Sequence, residues 1–142
     1  MNVLAAKSQP VFDKQWQKRL KIDIMDTGNA MNDDEIMAFS HQINTSELLA
    51  YRRAVAISTR NFIKKLSYED LIRKVAVSDL EQIKQSGGVT GQPESNWLLD
   101  FWHKKDIAGL LLMPPTRHVM LHLNACSKWK LAIRTKKKFY RS

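Results

Sequence analysis

Cysteine is nearly missing from this chain: Cys126 is the one copy among 142 residues. An internal disulfide is thereby excluded, as is a zinc finger built on paired cysteines. A reducing, cytoplasmic setting fits best. Long apolar runs are missing too. The longest, residues 107–113, falls far short of the roughly 20 residues that a membrane-spanning helix needs. The amino terminus has no basic stretch followed by an apolar core, so no signal peptide is expected. The chain therefore reads as soluble, with no membrane partner. There is no internal repeat, no low-complexity tract and no convincing strand.

What is present bounds the rest. An apolar fraction of 44% argues against wholesale disorder. The length suits a single domain, residues 1–142, with an irregular start over 1–30 and a basic end over 128–142. The formal net charge is +9, with a pI near 9.8. Such a balance favours attraction to polyanions and says little about fold. Much of the excess crowds into Lys128, Lys130, Arg134, Lys136, Lys137, Lys138 and Arg141, with Trp129, Phe139 and Tyr140 among them. Cations neutralise phosphates and rings stack on unpaired bases, so this end is a candidate contact for nucleic acid or an acidic partner. It carries no helix-turn-helix spacing, zinc knuckle or RNA-binding sheet signature. A solvated helix end accounts for it more simply.

Periodicity and capping signals predict an all-α chain with two long helices and several short ones. Residues 1–6 read as the end of a helix stopped at Pro10. Phe12, Trp16 and Leu20 lay an aromatic edge on a core, and 26–29 is a loop. Asn32 ahead of Asp33, Asp34 and Glu35 starts a short helix over 33–40. Asn44 with Glu47 opens the most strongly patterned helix. On it, Leu48, Tyr51, Val55, Thr59, Phe62 and Leu66 mark one face, widened by Leu49, Ala56 and Ile63. Ser67 with Asp70, and Ser78 with Glu81, begin two more short helices, and Gly87-Gly88 ends the second. A helix over 96–103 follows a glycine-rich loop. Pro115 suits the first turn of a last long helix over 115–133.

That last helix carries His118 and His122, four residues apart and so on one face. Two such rings can turn toward a single metal ion. On spacing alone such a pair more often decorates a surface or a core. A catalytic zinc needs a third protein ligand, and no further imidazole or carboxylate has a spacing that singles it out. Cys126 shares the face of His122, yet nothing in the sequence supplies the base and lowered pKa of a nucleophile. It reads as a small buried hydrophobe.

Trp97-Leu98-Leu99-Asp100-Phe101-Trp102, residues 108–114, Thr116-Arg117-His118 and His122-Leu123-Asn124 together resemble the carboxy-terminal half of a DinB-like (damage-inducible) four-helix-bundle protein. A weaker likeness covers residues 11–16, 26–28, 35–40 and 50–55. The resemblance implies a divalent metal, zinc or nickel, held by His118 and His122, and a metal-dependent thiol transferase or hydrolase. Arg117 would orient an anionic substrate group or pair with a neighbouring carboxylate. His41 is a candidate substitute for the third ligand, because the family's upstream helix pair, which supplies that histidine, would lie before Met1. Ala125 stands where the family tends to place Glu. A chain so shortened is expected to self-associate as a homo-oligomer, a dimer in the simplest case, or to be marginally stable, and to be inactive if the site is incomplete. The rival expectation is a non-enzymatic helical binding module that uses its basic end.

Overall fold

The computed structural model describes residues 3–135 and is an all-α helical bundle, with eight α-helices and one π-helical turn among the described residues. The first helix, α1 (Lys14–Leu20), is capped by Asp13, whose carboxylate accepts from Trp16 N at 2.9 Å. Its aromatic edge reaches the long helix α3 (Thr45–Ile63). The Phe12 and Trp16 rings meet Tyr51 edge-on, with centroids 5.7 and 5.3 Å away. Burial raises the Tyr51 hydroxyl pKa, partly countered by Arg52. Arg19 stacks over Trp16 and pairs with Glu47 at 2.6 Å, tying α1 to the first turn of α3.

Between them, α2 (Asp33–Gln42) begins with a reciprocal cap: Glu35 N donates to Asn32, and Asn32 N donates back to Glu35. Asn44 opens α3 by accepting from Ser46 N and Glu47 N. Two short helices follow, α4 (Tyr68–Ile72), capped by Ser67 and Asp70, and α5 (Val77–Gln85). The start of α5 is not set by Ser78. Asp79 accepts from Ala76 N instead, so the helix begins two residues earlier, at Val77. Gly87, at φ +74°, ends it in the left-handed conformation that favours glycine.

Pro93 opens α6 (Pro93–His103), three residues ahead of the expected start. Asp106 then caps α7 (Ile107–Leu112) through Gly109 N at 2.8 Å. The path continues through a π-helical turn, Met113–His118, into α8 (Val119–Arg134). The prolines therefore do not begin a new helix. Lacking amide hydrogens, they leave carbonyls of the preceding turn without an α-helical donor, and the chain widens by one register instead of breaking. Thr116 Oγ1 donates to the Leu112 carbonyl at 2.6 Å, a side-chain bond back to the preceding turn.

The core is centred on the amino-terminal turn, α5 and α7, and of the long helices only the end of α3 reaches it. It is built from Leu4, Ala5, Val75, Leu80, Ile107 and Leu110, with Phe62, Leu66, Leu99 and Trp102 packed half-buried against it. Residues 3–6 form a turn rather than a helix end, and Val3, Leu4 and Ala5 are buried there. Arg73 fixes the turn by donating to the Ala5 carbonyl at 2.7 Å. An isolated bridge, Lys74 to Asp106, brings the start of α7 beside the end of α4, and no strand forms among the described residues. By contrast α2, α3 and α8 contain no buried residue. The expected stripe on α3 does face inward, from Leu48 to Leu66, but only to half-burial. Leu49, Ala56 and Ile63, expected to widen it, are exposed.

Candidate functional site

The two histidines lie where the π-helical turn passes into α8. As their spacing requires, the rings project side by side, with centroids 4.5 Å apart. His122 Nε2 and His118 Nε2 are 2.6 Å apart, one donating and the other accepting. Each thus spends on its neighbour one of the two ring nitrogens through which it could hold a metal. Two nitrogens on one tetrahedral zinc stand about 3.4 Å apart, from bonds of about 2.1 Å.

A ligand set is missing as well. Among the described residues no group of three or more histidine, cysteine, aspartate or glutamate side chains could hold a metal ion. The divalent-metal cofactor, zinc or nickel, and the thiol transferase or hydrolase activity that depended on it are corrected on this ground. His41 lies exposed in the last turn of α2 and joins no such group. Nor is Cys126 buried: its thiol is exposed on α8. His103 ends α6.

Arg117 is exposed and, among the described residues, forms no ion pair, so it does not clamp a neighbouring helix. It lines a shallow open cleft of about 180 Å³ with Phe101, Lys105, Leu112 and Met113. Lys105 Nζ sits 5.0 Å over the Phe101 ring. A second open cleft, about 290 Å³, lies between α2 and the 23–31 loop and is lined by Asp23, Asp26 and Glu35. These carboxylates are already engaged: Asp23 accepts from Gln42, Asp26 from Gly28 N, and Glu35 from Asn32 N.

The feature that stands out is α8 itself. Met120, Leu121, Leu123, Trp129, Leu131 and Ile133 are each more than half exposed. At 100° per residue these six point to every side of the helix. They alternate with His122, Asn124, Ser127, Lys128 and Lys130, so no side of α8 is left purely polar to face solvent. Among the described residues α8 packs extensively only on the π-helical turn that leads into it. No acidic residue follows Asp106 in the sequence, so the cations Lys128, Lys130 and Arg134 have none beside them on α8. The histidines and the basic end are the conspicuous features of this helix in sequence, and the spread of its apolar residues round the axis is less so. The signal was available in the residues 119–133, which lack a polar side. Phe139, Tyr140, Lys136, Lys137, Lys138 and Arg141, part of the candidate nucleic-acid segment, lie outside the described residues. No helix among the described residues is long and apolar enough to cross a membrane.

No family model, curated protein or solved structure matches this chain.

Proposed function

We propose that this chain is a non-enzymatic helical interaction module that self-associates through α8. One observation carries the reading: six large apolar side chains stand exposed around a single helix, on a body whose core is small. Burying each such side chain contributes about 1.5–3 kcal/mol. Association itself costs about 4–15 kcal/mol in lost freedom. At the middle of both ranges about four of the six must be buried together, which a helix-in-groove or helix-on-helix contact does and a point contact does not. Kinship with DinB-like bundles belongs to the same proposal and is supported only by the sequence segments quoted for it.

Sedimentation velocity over a concentration series tests the reading. The expected result is a mass above that of the 16.4 kDa chain, falling toward it on dilution. Leu121→Glu with Leu131→Glu should leave the helical circular dichroism intact and hold the protein monomeric. A monomer at every concentration overturns the reading.

A second reading has one observation in its favour: Trp129 is exposed between Lys128 and Lys130 in a stretch without acids. That arrangement suits a single-stranded nucleic acid. Salt-sensitive binding of an oligonucleotide, lost in Trp129→Ala with Lys130→Glu, would support it.

A further inference from the structure

We infer that the outward side of α3 is a peripheral contact for an anionic lipid surface, with a stripe of apolar side chains entering the headgroup layer and cations on both flanks meeting the lipid anions. This goes beyond the self-association of α8 and uses none of its residues.

The two sides of α3 differ. Leu48, Tyr51, Val55 and Phe62 are half-buried, and Tyr51 lies against the rings of Phe12 and Trp16. On the side turned away from these, Leu49, Ala56 and Ile63 recur every seven residues. They form one stripe, which drifts only about 40° over its two heptads and runs about 21 Å along the axis. At 100° per residue Arg52 lies on one flank of the stripe and Arg53, Arg60 and Lys64 on the other, all within about 120° of the circumference. Leu49 and Ile63 are 63% and 46% exposed, and Ala56 and the four cations are exposed as well. Ile57, 59% exposed, borders Lys64.

No acid lies on this side. The ion pairs among the described residues use none of the four cations, and Glu47, the one acid of α3, points the other way and is held by Arg19. Arginine and lysine lay their stems along apolar surface and keep their charged heads at a polar level. Beside a stripe of aliphatic side chains, that is the chemistry of a helix lying in the plane of an anionic bilayer surface. Such a helix needs no spanning length, so the absence of a spanning helix among the described residues does not bear on it.

The apolar stripe decides against nucleic acid as the occupant. A phosphate backbone takes the arginines but leaves Leu49 and Ile63 without a partner, and no aromatic ring stands on this side to stack on a base. Charge decides against the other exposed apolar surfaces. Ile36 and Met37 share α2 with Asp33, Asp34 and Glu35, while Tyr68, Ile72 and Val77 surround Glu69 and Asp70. Anionic headgroups repel both. On α8 the apolar residues and the cations are spread round the axis, so no one side of it matches a flat surface as α3 does.

Co-sedimentation of the full chain with vesicles tests the inference, using equal parts of phosphatidylcholine and phosphatidylserine against phosphatidylcholine alone. The parent should bind the anionic vesicles, more weakly as salt is raised, and leave the neutral ones unbound. Arg53→Gln with Arg60→Gln should lower the affinity about 25-fold, from about fivefold for each cation removed near an anionic surface. Leu49→Gln with Ile63→Gln should lower it by about tenfold or more, with the salt dependence unchanged. All four positions are exposed, and unchanged helical circular dichroism confirms folding. A parent that ignores anionic vesicles overturns the inference. So does binding that Leu49→Gln with Ile63→Gln leaves intact, which is attraction by charge alone. Capture of a duplex oligonucleotide without vesicle binding, lost in Arg53→Gln with Arg60→Gln, assigns this side to nucleic acid instead. Vesicle binding that survives both α3 variants and is lost in Lys128→Gln with Lys130→Gln moves the contact to α8.

Discussion

Lys7 Nζ donates to Asp79 Oδ1 at 2.6 Å, joining the amino-terminal turn to α5 across 72 positions of sequence. Asp79 is only 5% exposed, and its other oxygen accepts from Ala76 N at the start of the helix. One carboxylate therefore caps α5 and anchors the turn that delivers Leu4 and Ala5 to the core. Lys7→Ala leaves that carboxylate nearly buried and short of a partner. The expected loss is about 1–3 kcal/mol, below the full cost of breaking a buried pair because Lys7 itself is half exposed. Urea unfolding should show a lower midpoint with an unchanged slope. An unaltered midpoint would mean that the turn is held by apolar packing alone.

Stability should fall in acid through the helix caps. The hydrogen bond from Gly109 N, aided by the Lys74 charge, lowers the Asp106 pKa, and the bond from Ser67 N lowers that of Asp70. A carboxylate with a depressed folded pKa contributes stability above its unfolded pKa. That contribution is lost as pH falls through the folded value. Asp106→Asn keeps a capping oxygen but not the titration. The difference in unfolding free energy between parent and Asp106→Asn should be present at neutral pH and vanish below the ordinary aspartate range. A difference that does not change with pH would assign the effect to cap geometry.

What the sequence showed of this fold was mostly local. Asn32, Asn44, Ser67 and Gly87 act within three or four residues of themselves, and each does what its type and spacing imply. The inward stripe of α3 was legible for the same reason, since periodicity alone sets which side chains share a face. How deeply that stripe is buried was not, because depth depends on what lies opposite. Pro114-Pro115 misled for a physical reason: a proline pair can open a helix or widen one, and tertiary packing of α7 decides between them. The histidines came together as their spacing demands. A third ligand would have been a long-range contact, which no spacing encodes. Lys7 with Asp79 is another such contact and left no trace in either segment.

Core and projecting helix should respond differently to the same kind of truncation. Ile107 has no exposed surface, and Ile107→Ala should cost about 2–5 kcal/mol. Leu131 is 64% exposed, so in the isolated monomer Leu131→Ala should shift stability by no more than about 0.5 kcal/mol. Its effect should emerge with concentration. Binding of a second copy stabilises the folded state by mass action, so the parent Tm rises with protein concentration. That rise should flatten in Leu131→Ala and persist, from a lower baseline, in Ile107→Ala. Differential scanning fluorimetry at several concentrations measures both. Equal concentration dependence in the parent and both variants would remove α8 from the contact.

The His118–His122 contact yields the last prediction, about metal. Two imidazoles offer at most two of the four donors that a structural or catalytic zinc takes from protein and solvent, and here they are bonded to each other. Binding an ion would require both rings to turn apart and give up that bond, with no third side chain among the described residues to repay it. Zinc or nickel added to the purified chain should therefore be removed by gel filtration, and a chelator should leave the Tm unchanged. His118→Ala with His122→Ala should behave like the parent in both measurements, since the rings are exposed and cap nothing. Stoichiometric metal carried through the column by the parent, and lost in the double variant, would show that the rings find a third ligand in solution.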